Sequence, residues 1–307
     1  MGSVKSGIYS VCVAAACGYL GGKFLKRSNK KIEVNKHHLK SKSLPKAFDG
    51  FKIAQVSDLQ SQEFGLGQRD LISAVRRSRA DIIVITGDLL DRNHTDFGLA
   101  TEALEGLLKL APVYYVNGNH ELSVAEDEMT DYYEQMRAMG VHVLLDRAEK
   151  IFRGGETIEI LGISEDSVFG AKEIGYEHGA DYADAVLAKS VQILKDGYGN
   201  GKEDEIDNAA KKCFSILLTH EPQYLEQYAE SGVNLVFAGH AHGGQFRLPG
   251  GQGLFSPGQG VLPKITSGFY VKDGTVMMVS RGLGNSVFPF RLNNHPEVVV
   301  VALHSSK

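Results

Sequence analysis

Short, nearly unbroken runs of Val, Ile and Leu alternate with stretches of helical periodicity, and this alternation limits the possible folds more than any other feature. The runs are FKIAQVS (51–57), DIIVITG (81–87), APVYYVNG (111–118), TIEILGI (157–163), CFSILLTH (213–220), VNLVFAG (233–239), TVMMVSRG (275–282) and EVVVVAL (297–303). Strands this apolar are buried on both faces, so a layer must cover each side. Helical patterns fit about 67–79, 96–110, 126–139, 180–195 and 222–230. Strand–helix alternation in the first half indicates α/β organisation. The second half turns strand-rich, which points to two packed sheets rather than one doubly wound sheet. The polar, glycine-rich DGYGNGKEDEID (196–207) reads as an exposed loop.

The ends of these runs carry chemistry. One run ends at Asp58, with Gln60 two residues on, and the next ends in TGDLLD, giving Asp88 and Asp91. A third ends in NGNHE, giving Asn119, His120 and Glu121. A fourth ends in His220, and a fifth in GHAHGG, giving His240 and His242. Open α/β sheets place their sites outside the carboxyl ends of the strands, so these five endings should converge. Imidazoles mixed with carboxylates suit zinc, iron, manganese and similar cations. Three histidines, two or three aspartates and an asparagine exceed one tetrahedral centre and suit two ions about 3.5–4 Å apart sharing a carboxylate. Asp88 is central in the series and is the natural bridge. His240 and His242, two apart on a glycine-rich turn, can serve two ions or straddle one. Gly87, Gly118, Gly239, Gly243 and Gly244 let the backbone turn sharply.

The 307 residues carry a net charge of -4, which argues against a general nucleic-acid binder. Cys12, Cys17 and Cys213 show neither disulfide nor zinc spacing and read as small apolar fillers. At the N-terminus, GIYSVCVAAACGYLGG (7–22) is uncharged, yet short against the about 20 residues of a transmembrane helix. A cleaved signal peptide, with Ala14–Ala16 as a weak processing site, is the rival. AAAC at 14–17 is a poor lipoprotein match. Lys23, Lys26, Arg27, Lys30, Lys31, Lys36, Lys40 and Lys42 follow, against Lys5 alone before. That asymmetry places the body on the cytoplasmic face and could hold anionic headgroups. The expected organisation is an anchor and basic linker at 1–30 and one catalytic domain at 31–307.

SDLQ, GDLLD, GNHE, LLTHEP and GHAHGGQ, in this order, resemble the signature of the calcineurin-like metallophosphoesterases over roughly residues 32–303. The tail, GHAHGGQFRLPGG through VSRGLGNSVFPFRLNNHPEVVVVAL, resembles the bacterial membrane-associated branch, which includes UDP-diacylglucosamine pyrophosphohydrolase-like enzymes. The resemblance implies a four-layer α/β/β/α sandwich and a phosphoesterase holding two divalent ions (Mn, Fe, Zn or Mg). Carried over, Asp58 and His242 hold the first ion, Asp88 bridges, and Asn119, His220 and His240 hold the second. His120 stands by the scissile phosphate as acid or hydrogen-bond donor. A bridging water activated by two cations would attack in line. The implied substrate is a phosphodiester or pyrophosphate, lipid- or nucleotide-sugar-linked.

Residue 60 departs from the pattern, which there has histidine. Gln60 could ligate the first ion through its amide oxygen and favour a harder cation, or hold a water that ligates. It could also leave the site disabled and the protein a silent, tethered phosphate-binding module. Every other ligand position is filled, which favours activity. Asp91 and Glu121 are either orienters of the ligands or helix-start caps. Gln245 and Arg281 are candidate phosphate contacts, Arg281 equally a structural ion pair. His94 reads as a solvated loop residue, and His37, His38, His142, His178, His295 and His304 as surface. PGGQGLFSPGQG (249–260) reads as a flexible loop able to shape a lipid or head-group cleft.

Overall fold

The computed structural model describes residues 29–178, 180–197, 213–285 and 288–306. The apolar segment 7–22 and nearly all of 196–207 lie outside them, so neither expectation meets a described structure. Among the described residues no helix is long and apolar enough to cross a membrane.

Two six-stranded sheets form the centre. The first runs β1 (Glu33–Ser41), β14 (Glu297–Ser305), β2 (Lys52–Val56), β3 (Ile82–Thr86), β4 (Val113–Val116) and β5 (His142–Val143) across its width. The second runs β12 (Gly268–Lys272), β13 (Thr275–Val279), β9 (Leu235–Ala238), β8 (Ser215–Leu218), β7 (Glu156–Gly162) and β6 (Arg147–Arg153). β2, β3, β4 and β5 are parallel, as are β13, β9, β8 and β7.

Side-chain alternation sorts the strand residues into three apolar layers. Ile53, Val84, Val116, Ile216, Leu218 and Phe237 fill the space between the sheets. Ala54, Ile83, Ile85 and Tyr115 face outward onto the helices Arg69–Arg76, Phe97–Leu108 and Glu126–Met139 through Leu71, Leu104 and Met136. Leu161, Leu217 and Val236 face the other way onto Leu187, Val191 and Tyr228 of the helices Ala180–Gly197 and Leu225–Glu230. Helices therefore cover both outer faces of a two-sheet α/β fold.

Three expectations change. The basic residues 33–41, outside the expected strand runs, form β1, which pairs in parallel with β14, so Lys36 and Lys40 stand exposed on a sheet strand. A helix at Glu165–His178 and the strands β5, β6 and β12 have no counterpart among the apolar runs. The 249–260 stretch is hydrogen-bonded: β10 (Phe255–Ser256) pairs antiparallel with β11 (Gly260–Val261).

Below the strand ends a polar network ties the sheets together. Gln55 Nε2 donates to Thr86 Oγ1 at 2.9 Å and to the Ala238 carbonyl at 2.8 Å, bridging β2, β3 and β9. Both donors of this completely buried amide are satisfied, while its Oε1 has no hydrogen-bond partner.

Candidate metal centre

The strand ends of both sheets deliver their polar residues to one cleft. Asp58, Gln60, Asp88, His240 and His242 all have positive φ, between 46° and 63°. Left-handed backbone is uncommon for side-chain-bearing residues, and five in one constellation mark a site whose geometry the fold enforces. At Gly118 a Cβ would meet the Asp88 side chain and, at 2.6 Å, the Asp88 backbone nitrogen. Only glycine lets that loop pass.

On one side, His242 Nε2 lies 3.3 Å from Asp58 Oδ1, and Asp58, Asp88 and His242 offer ligand atoms within 4.8 Å of one another. Gln60 reaches into the same space. Its Nε2 stands 3.2 Å from Asp88 Oδ2, 3.2 Å from His242 Nε2 and 3.5 Å from His120 Nε2. On the other side, His220 Nε2 is 3.4 Å from Asp88 Oδ2, 3.2 Å from Asn119 Oδ1 and 3.1 Å from His240 Nδ1. His220 Nδ1 donates to the Thr86 carbonyl at 2.8 Å, which turns Nε2 toward the cleft. Asp88 belongs to both halves.

Without a cation the site is electrostatically frustrated. Burial pushes the Asp58 carboxyl up to about 6, and Asp88 adds to the rise against His220. Burial, reinforced by Asp88, pushes Glu121 up to about 7. Burial, then the neighbouring His220, pulls His240 down to about 4. Burial opposes charge on His220, yet Asp88, Asp58 and Glu165 together hold its pKa well above the ordinary imidazole value. Asp58 Oδ2 and Gln60 Oε1 are buried with no hydrogen-bond partner. Two carboxylates, orphaned oxygens and converging imidazole nitrogens fit divalent cations.

Supporting residues resolve several open readings. Glu121 accepts the backbone N–H groups of Asp88 (2.9 Å), Leu90 (2.9 Å) and Gly118 (2.7 Å), clamping two site loops. It orients the loops rather than merely capping a helix. Asp91 Oδ1 accepts the Asn93 N–H at 2.7 Å and lies 3.9 Å from His120 Nδ1. His120 Nδ1 accepts the Arg92 backbone N–H at 3.1 Å, so the neutral ring carries its proton on Nε2, facing the cleft. The 380 Å³ cleft is lined by Asp88, Asn119, His120, His240 and His242, and also by Arg92 and Pro257.

Two candidates are not phosphate contacts. Arg281 is held by Glu297 at 2.8 Å and Glu33 at 3.0 Å, an ion-pair network joining β1 and β14 to the end of β13. Gln245 is buried and donates to the carbonyls of Phe288 (3.0 Å) and Phe290 (2.9 Å). His94 is exposed, as expected. The motifs did not single out Arg291, which is completely buried. It donates to the carbonyls of Arg281 and Gly284 and sets Nη2 3.3 Å from His242 Nδ1. Its only signal was its place in the tail quoted above. Nor did they mark Asn294, whose Nδ2 donates to the His242 carbonyl at 2.7 Å.

The calcineurin-like phosphoesterase family matches residues 51–244, a span that contains Asp58, Asp88, Asn119, His120, His220, His240 and His242. The chain belongs to this family. It is therefore a metal-dependent phosphoric ester hydrolase by descent. It is 30% identical over 282 residues to the uncharacterized metallophosphoesterase YkuE of Bacillus subtilis, covering 90% of this chain and 86% of that one. It is 24% identical to the phosphodiesterase YaeI of Escherichia coli, over 82% of each chain. It is 23% identical to a transmembrane protein with metallophosphoesterase domain from Danio rerio, over 98% of this chain and 63% of the relative.

Proposed function

We propose that the chain hydrolyses a phosphodiester or pyrophosphate with two divalent ions. Asp58, Gln60, Asp88 and His242 would hold the first ion, and Asp88, Asn119, His220 and His240 the second. The observation that carries this reading is Asp88, whose buried carboxylate faces both halves of the donor set. The ions would neutralise the substrate phosphate and acidify a water between them.

The remaining steps belong to the protein. His120 holds a proton on Nε2 because the Arg92 N–H occupies Nδ1, so it can donate to the leaving oxygen. Glu121 fixes the two loops that carry Asp88, Asn119 and His120. A half-turn of the Gln60 amide exchanges its nitrogen for its orphaned oxygen and aims that oxygen at the first position. Gln60 thus serves as a neutral oxygen donor, which favours manganese or magnesium over zinc there.

Diester or pyrophosphate preference draws support from the phosphodiesterase relative, and membrane tethering by 7–22 from the transmembrane relative and the basic residues that follow. The reading places the catalytic domain, residues 31–307, on the cytoplasmic face beside a lipid- or nucleotide-sugar-linked substrate.

The test is hydrolysis of bis-p-nitrophenyl phosphate by the full chain with manganese, magnesium, zinc, nickel and iron in turn. Metal-dependent turnover that His120→Ala removes supports the proposal. Silence with every metal, relieved by Gln60→His, would mean that the first position is disabled and the chain is a binder.

A further inference from the structure

Beside the cleft, the segment 244–262 and the turn 288–292 leave six large apolar side chains in solvent. They are Leu248, Phe255, Val261, Leu262, Phe288 and Leu292, from 36% exposed at Phe255 to 77% at Val261. They ride on one hydrogen-bonded ridge. Phe255 pairs with Val261 across β10 and β11, and the Leu262 N–H donates to the Leu254 carbonyl at 2.9 Å. The Arg247 N–H donates to the Leu292 carbonyl at 3.0 Å, and the Phe246 ring packs 5.1 Å from that of Phe288. Buried Gln245 secures the underside through the Phe288 and Phe290 carbonyls. Exposed apolar groups gathered on a braced ridge mark an interaction surface more than singly scattered ones do.

Two further observations say what covers it. Asn29 donates to the Pro289 carbonyl at 2.9 Å and accepts the Arg291 N–H at 2.8 Å, so the chain enters the described fold against this ridge. The apolar run 7–22 ends only seven residues earlier, and seven extended residues reach about 25 Å. Whatever its conformation, that run ends within this radius of Asn29. Lys30 and Lys31, next to Asn29, are exposed, and exposed Lys264 adds a positive charge at the ridge; Lys23, Lys26 and Arg27 precede them in the sequence. Apolar groups beside clustered Lys and Arg match an anionic bilayer interface. Pro257, in the turn between β10 and β11, lines the cleft, so the ridge supplies part of the cleft wall.

We propose that the ridge of Leu248, Phe255, Val261, Leu262, Phe288 and Leu292 docks onto an anionic lipid surface, turning the cleft toward the headgroups. Docking itself does not depend on the chain being a diesterase. That the scissile phosphate lies at headgroup level does rest on the hydrolytic reading.

The chain has no tryptophan, so one introduced residue reports alone. Val261→Trp in the full chain is compared with Phe152→Trp, which sits 73% exposed on β6 at the far edge of the second sheet. The probes are phosphatidylglycerol–phosphatidylcholine vesicles whose acyl chains are brominated. On these vesicles the Val261→Trp emission is expected to shift to the blue and fall about twofold, as insertion to the acyl boundary requires, while Phe152→Trp is unchanged. Leu292→Trp is a second reporter on the ridge with the same expected response. Adding Phe255→Asp and Leu262→Asp should abolish the quenching while the chain still floats with the vesicles through residues 7–22. Equal behaviour of the ridge reporters and Phe152→Trp would overturn the proposal. A blue shift without vesicles, together with a dimer in sedimentation, would overturn it in favour of a second copy of the chain. Turnover of the soluble diester, measured in parallel, reports on the hydrolytic reading separately.

Discussion

His120 and Gln60 stand in one cleft and answer different questions. His120 touches the reacting region without belonging to the proposed ligand set. His120→Ala should therefore lower kcat by about 10²- to 10⁴-fold while bound metal, measured by elemental analysis, stays unchanged. Gln60 lies between Asp88 and His242, where an imidazole would add a softer donor. Gln60→His should raise zinc and nickel affinity relative to magnesium, read by titration calorimetry. Glu121 satisfies three backbone donors at once. Glu121→Ala should cost about 3 kcal/mol or more, seen as a lower denaturation midpoint, because each stranded buried donor costs about 1–3 kcal/mol. The motif letters announced Asp58, Asp88, Asn119, His120, His220, His240 and His242 as one group. They did not announce Arg291 or Asn294, because a residue's role behind a ligand depends on which distant loop packs there.

Among the elements, the apolar strands were legible and the polar ones were not. β3 and β9 read directly as buried because nothing in them but packing decides their state. β1, with the sequence EVNKHHLKS, has no apolar run to mark it, yet nine residues of register against β14 make it a strand. The helix Glu165–His178 is interrupted by Gly170 and Gly175, which weaken its periodic signal. Arg281 belongs to this scale, since it ties β1 and β14 to the end of β13 through Glu33 and Glu297. Arg281→Met should leave KM for a soluble diester unchanged. It should lower stability by about 3–5 kcal/mol, since removing one partner strands buried charge. A raised KM with unchanged stability would return Arg281 to the phosphate.

At the scale of the whole molecule, the site sits where two sheets meet, so metal binding and folding are coupled. Buried Asp58 and Asp88 repel each other without a cation. Chelation should lower the melting temperature, and saturating manganese should restore it. A ligand at 100 times its dissociation constant stabilises by about 2.7 kcal/mol, which calorimetry resolves. Replacing His220 should shrink that gain. The sequence by itself determined the strand-forming runs, the residues at their ends and their order, because hydrophobic period and turn chemistry are local properties. Only the tertiary structure decided that Asp88 faces both halves of the site, that Arg281 and Gln245 brace rather than bind, and that Asn29 enters beside an exposed apolar ridge. Those outcomes depend on contacts between residues tens to hundreds of positions apart, and no local pattern encodes which of them will meet.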